Sequence, residues 1–183
     1  LENGALVQKI YLPRELFPIA AIIVAFVHFL PQGIILLVAC LLLGWTPTVS
    51  GVIAIALGMF IIAAISLGLG MVFGSINVAY RDAQNVVELI QMFSTWAAPV
   101  LYTWQLVHDS VPRWLFHLYM ANPLTAAVEL FHAGFWYPTS DGSLPKPEHL
   151  ILNAWISIGV CLVCLVLGQV VFRRFERRFA QEL

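Results

Sequence analysis

The chain has 183 residues, 61% of them hydrophobic and 10% charged, with a formal net charge of −1 and a mean hydropathy of +0.88. Soluble domains carry about 25% charged residues, so this composition excludes an ordinary soluble fold. It also excludes a nucleic-acid surface, which needs clustered Lys and Arg against phosphate.

From Leu16 to Tyr80 there is no Asp, Glu, Lys or Arg. A bilayer core excludes such groups, and crossing about 30 Å of hydrocarbon takes about 20 apolar residues. The stretch therefore holds two crossings, about 16–44 and 49–77, separated near Gly44-Trp45-Thr46-Pro47. The first is longer than one crossing needs, so it is expected to tilt, to extend into the interface or to break at Pro31-Gln32-Gly33. The second carries Gly58, Gly68, Gly70 and Gly74, small residues that let helices approach closely; Gly70-x-x-x-Gly74 is the recognisable but weak motif. The chain opens on Leu1, on a polar stretch that reads as internal, so an N-terminal portion is expected to precede it.

Tyr80-Arg81-Asp82 reads as a turn at a membrane face, followed by a third span at about 86–107 with Pro99 in its middle. The region from His108 to Pro147 has polar ends and an apolar, aromatic centre, cut at Asn122-Pro123 into pieces too short to cross. Two short helices dipping into the membrane and returning, about 112–138, fit this best. A last span at about 150–172 precedes a basic tail, 173–183. The fold class is all-α integral membrane, a multi-span bundle in a single transmembrane domain with paired re-entrant helices before the last span.

Placing the N-terminus inside puts Lys9, Arg14, Arg81, Arg173, Arg174, Arg177 and Arg178 on the cytoplasmic side and only Arg113 and Lys146 outside. That asymmetry follows the positive-inside rule and sets the C-terminus in the cytoplasm.

Catalytic signatures are missing from the sequence. It contains no G-x-x-x-x-G-K-[ST], no H-E-x-x-H and no G-x-S-x-G. Cys161 and Cys164 form a C-x-x-C, but without a second pair or a nearby His they read as small lipid- or core-facing residues. The spacings of His108, His117, His132 and His149 match no metal-ligand pattern, so no metal site is assigned. His28 is expected to face other helices or a wet cavity. Glu129, an acid in the dipping segment, reads equally as functional or structural. Trp96, Tyr102, Trp104, Trp114, Phe116, Tyr119, Phe131, Phe135, Trp136 and Tyr137 cluster in the outer half. They suit either an interfacial aromatic belt or a stacking surface for sugar rings.

The run Leu6-Val-x-Lys9-x-Tyr11-x-Pro13-Arg14-Glu15-x-x-Pro18, then Tyr80-Arg81-Asp82, Pro99-Val-Leu-Tyr102, Asn122-Pro123-Leu124 and Phe175-Glu-x-x-Phe179-Ala-x-x-Leu183, resembles type-2 ABC exporter permeases over essentially the whole chain. The similarity is closest to the exporters of lipid-linked polysaccharides such as O-antigen, teichoic acid and galactan chains. The resemblance implies an amphipathic helix and two spans ahead of the start of this sequence.

The resemblance implies a multi-pass permease subunit in the bacterial inner or plasma membrane, paired with a second copy of itself. A separate cytoplasmic subunit would carry ATP and Mg, leaving no cofactor on this chain. Lys9, Tyr11, Arg14, Glu15, Tyr80, Arg81 and Asp82 would contact that subunit. Trp96, Tyr102, Trp104, Trp114, Tyr119, Glu129, Trp136 and Tyr137 would line the path or outer exit of a lipid-linked glycan. An exporter of small hydrophobic drugs or lipids remains open, as does an ATPase-free channel or carrier.

Overall fold

The computed structural model describes residues 16–79, 83–140 and 146–182. All regular elements among them are helical: α1 (Leu16–Leu42), α2 (Val49–Ala79), α3 (Ala83–Ala97), α4 (Trp104–Ser110), α5 (Arg113–Met120), α6 (Pro123–Phe131) and α7 (Leu150–Glu182). A π-helical turn, His132–Trp136, and a 3-10 turn, Tyr137–Thr139, extend α6. Among the described residues, three helices are long and apolar enough to cross a membrane: Leu16–Leu42, Val49–Asn77 and Leu150–Arg174.

The helix ends follow local chemistry. Pro31 lies inside α1 without breaking it. A bilayer offers backbone groups no other partner, so the helical bonds around a proline are kept. Gly44 ends the helix at φ +85°, a left-handed conformation that glycine reaches without strain. Thr48 then caps α2, its Oγ1 accepting from the Gly51 amide at 3.2 Å.

The expected third span is not one helix. α3 ends at Ala97, residues 98–103 turn, and α4 starts at Trp104. Pro99 accounts for the break, since it lacks an N–H and disfavours helical backbone at the residue before it. The 15 residues of α3 rise about 22 Å, short of a full hydrocarbon thickness. α7 runs on beyond its apolar part, Leu150–Arg174, to Glu182.

α2, α6 and α7 form the core, with Ile61, Ala64, Ile65, Ala127, Leu130, Ala154 and Cys161 buried together. The contacts give its topology. Ile61 meets Cys161, whose Sγ lies 3.6 Å from the Ile61 carbonyl, and further along Gly68 meets Gly168. Both numbers rise together, so α2 and α7 run parallel. Gly58 instead meets Ala127, and Gly51 meets Gly134. Those numbers run in opposition, so α6 with its π turn is antiparallel to α2. Two parallel helices need a return between them, and α3 with the turn after it lies in that return. Its end is tied to α6 by Thr125 Oγ1, which donates to the Ala97 carbonyl at 3.3 Å.

Glycine makes these approaches possible. A Cβ at Gly58 would stand 3.1 Å from the Ala127 carbonyl, and one at Gly68 would stand 2.9 Å from the Cys164 backbone. Gly70 and Gly74 face open space, so the sequence motif is not the packing surface. α1 leans on α2 with most of its surface exposed, His28 included. An apolar helix needs no protein cover where lipid supplies it.

Candidate functional site

The site is built where α6 loosens into its π turn. Asn122 opens α6 by accepting from the Leu124 amide at 3.1 Å, with Pro123 at the first helical position. The helix then buries Thr125, Ala126, Ala127, Glu129 and Leu130. Glu129 is completely enclosed.

Both oxygens of its carboxyl are in use. Tyr137 donates its hydroxyl to Glu129 Oε2 at 2.6 Å, and His132 Nδ1 lies 3.4 Å from Oε1. The Trp104 side chain hydrogen-bonds the same Tyr137 hydroxyl, which brings the start of α4 into the group. Burial and then the bond to Glu129 push the Tyr137 pKa above the usual phenol range, so its hydroxyl stays a donor. Thr103, Trp104, Gln105, Glu129, His132, Trp136 and Tyr137 enclose a cavity of about 10 Å3, near the lower limit for one water.

The rings around the carboxyl are ordered. Trp136 stacks on Tyr137 at 6.4 Å with only 8° between planes, and His132 meets Trp136 edge-on at 5.0 Å. Trp136 is 41% exposed and borders an apolar groove of about 510 Å3 with Phe29, Leu36, Cys40, Phe131 and Phe135. That groove shares Phe29 and Phe131 with a second one, about 480 Å3, running between α1 and α2.

A second tether holds the π turn from the other side. Trp45, buried in the α1–α2 connection, donates its indole N–H to the Gly134 carbonyl at 2.9 Å and packs on Phe135 at 5.3 Å. Gly134 lies against Gly51 and the Ile55 side chain, where a Cβ would clash. Sequence reasoning missed Trp45; an indole in a turn between two spans was its only signal.

The expected outer-exit residues divide into three groups. Trp104, Glu129, Trp136 and Tyr137 are brought together. Tyr102 and Tyr119 lie beside one another nearby; Tyr102 donates to the Trp96 carbonyl at 2.8 Å, and burial raises the Tyr119 pKa. The Trp96 and Trp114 side chains are exposed, at 62% and 70%. Glu129 does not line an open path: enclosed and bonded to its own neighbours, it has no surface to offer a substrate. Lys9, Tyr11, Arg14, Glu15, Tyr80, Arg81 and Asp82 lie outside the described residues.

The described residues hold no group of three or more His, Cys, Asp or Glu suited to a metal ion. Cys161 and Cys164 are free thiols, the first buried against α2. Their C-x-x-C is a helix-packing feature.

These features define an all-helical, multi-span integral membrane protein with an enclosed, hydrogen-bonded carboxyl near one end of its core. A family model described as ABC-2 type transporter matches residues 4–136, and the chain belongs to that family. It is similar to "O-antigen export system permease protein RfbA" of Klebsiella pneumoniae, 25% identical over 186 residues, covering 100% of this chain and 66% of that protein. The protein of the same name from Myxococcus xanthus is 25% identical over 178 residues, covering 97% of this chain and 64% of its own length. "Capsule polysaccharide export inner-membrane protein CtrC" of Neisseria meningitidis is 24% identical over 144 residues, 79% of this chain and 50% of that protein. The chain thus spans less than two thirds of the length of these relatives.

Proposed function

We propose that the chain is the membrane-spanning permease part of an ABC exporter that moves lipid-linked polysaccharide out of the bacterial cytoplasm across the inner membrane. The observation that carries this reading is the aromatic group at the end of α6, in a chain whose relatives are named for O-antigen and capsule polysaccharide export. Sugar rings have apolar faces that pack on aromatic side chains.

The dipping arrangement of α5 and α6 draws support from the topology. α6 rises antiparallel to α2 from the level of Gly58 towards Gly51, so α5 carries the chain down to the Asn122–Pro123 corner first. Pro123 at the corner is buried and Asn122 half-buried, and protein cover is the condition under which irregular backbone is tolerated at membrane depth.

Energy comes from a separate cytoplasmic ATP-binding subunit that holds ATP and Mg. Lys9, Tyr11, Arg14, Glu15, Tyr80, Arg81 and Asp82 form its contact surface. Ala79, which closes α2 at the end opposite Trp45 and Gly134, and Ala83, which opens α3, flank residues 80–82. The permease acts as a pair of copies, with the C-terminus in the cytoplasm by the distribution of Lys and Arg.

The test is a mild-detergent purification of the full-length protein, with mass spectrometry of what accompanies it. A soluble ATPase in stoichiometric amount, and ATP-dependent transfer of a lipid-linked glycan in liposomes, are the expected results. A well-folded preparation that moves a solute without nucleotide would replace this reading with a channel or carrier.

A further inference from the structure

Enclosing a carboxyl is costly unless its oxygens are used, and an apolar side chain would fill the same buried position more cheaply. Both partners of the Glu129 carboxyl, Tyr137 and His132, are rings packed against Trp136. One lies parallel to the Trp136 plane and the other stands edge-on to it. Trp136 itself is exposed at the groove and makes no use of the carboxyl.

We propose that Glu129 is a positioning residue: through Tyr137 and His132 it fixes the angle at which Trp136 is presented to the glycan. The inference rests on the exporter reading above and adds a role which that reading does not contain. Glu129 touches no substrate. It acts by restricting the two rings against which Trp136 packs, and Trp104 extends the restriction to the start of α4. The two rings and Trp136 all lie in or just after a π turn, a form frequent at functional sites.

The test uses the full-length permease with its ATP-binding subunit in liposomes. Each variant is measured for thermal midpoint, for the lipid-linked glycan concentration giving half-maximal ATPase stimulation, and for hydrogen exchange at amides 132–139. Tyr137→Phe keeps the ring and removes the donor, so half-maximal stimulation should need at least fivefold more glycan, and the thermal midpoint should fall because Glu129 Oε2 loses its partner. Glu129→Gln keeps an acceptor for the same hydroxyl and should remain within twofold of wild type. Glu129→Leu should match Tyr137→Phe, and the double variant should be no worse than either. Exchange at 132–139 should accelerate in Glu129→Leu and not in Glu129→Gln.

Tyr137→Phe and Glu129→Leu both within twofold of wild type, with Trp136→Ala impaired, overturn the inference and leave the exporter reading standing. Absence of any glycan response in wild type overturns the exporter reading. Unchanged exchange in Glu129→Leu overturns the positioning role with or without a glycan.

Discussion

Gly68 of α2 and Gly168 of α7 meet backbone to backbone: a Cβ on Gly168 would stand 2.6 Å from the Gly68 carbonyl oxygen. In a bilayer there is little hydrophobic gain in pairing two apolar helices, so close contact of this kind supplies much of the association. Gly168→Leu should lower the thermal midpoint in detergent strongly, overpacking of this sort costing about 1–3 kcal/mol or more. Gly70→Ala and Gly74→Ala, at positions that face open space, should be neutral. Equal losses at Gly70 and Gly168 would contradict the assigned helix pairing.

Trp45→Phe keeps a ring against Phe135 but leaves the Gly134 carbonyl without its indole donor. The expected cost is about 1–3 kcal/mol, the usual penalty for a buried polar group that loses its partner. Limited proteolysis between α1 and α2, compared in wild type and variant, checks it. An uncut, unshifted variant would remove Trp45 from the tether.

Asn122→Ala removes the cap of α6 and should destabilise by about 1 kcal/mol, whereas Asn122→Asp or Asn122→Ser should restore most of it. A thermal series over the three variants separates capping from mere loss of polarity.

Charge reversal at the proposed ATPase-contact residues should act on coupling and spare assembly. Arg81→Glu and Glu15→Arg should leave membrane insertion and expression intact while export falls to background. Normal export in the double reversal would move the contact surface elsewhere.

Trp136→Ala should cut glycan export, and Trp114→Ala less so, because Trp136 packs on Tyr137 and His132 whereas the Trp114 side chain is 70% exposed. Equal effects of the two substitutions would favour a uniform interfacial belt. Export rates in cells carrying each variant decide between them.

Much of this architecture was legible because membranes impose simple rules. A charge-free run from Leu16 to Tyr80 leaves little choice but two apolar helices, and Asn122-Pro123 marks a helix start wherever it occurs with an apolar run after it. What was not legible depends on contacts between distant residues. Pro99 was visible, but whether it kinks a span or ends one depends on what else can bind the freed backbone. Here Thr125 takes the Ala97 carbonyl and the helix stops. Glu129 stood out as an acid in an apolar segment, yet its link to Tyr137, eight residues on, follows no helical period because a π turn intervenes. Trp45 and Gly134, 89 residues apart, share nothing a sequence pattern could join.

The parallel course of α2 and α7 has a mechanical consequence. Together they form a double rod, α7 alone reaching about 50 Å along its 33 residues, with no proline to give way. Welded at their glycines, the rods cannot slide past each other without separating. On the proposed exporter reading, a push at the feet would tilt the two helices together and move the heads, where Gly134 is lodged against Gly51. A stroke of the motor would therefore be felt by the aromatic turn as a change of tilt, transmitted like the swing of a crowbar.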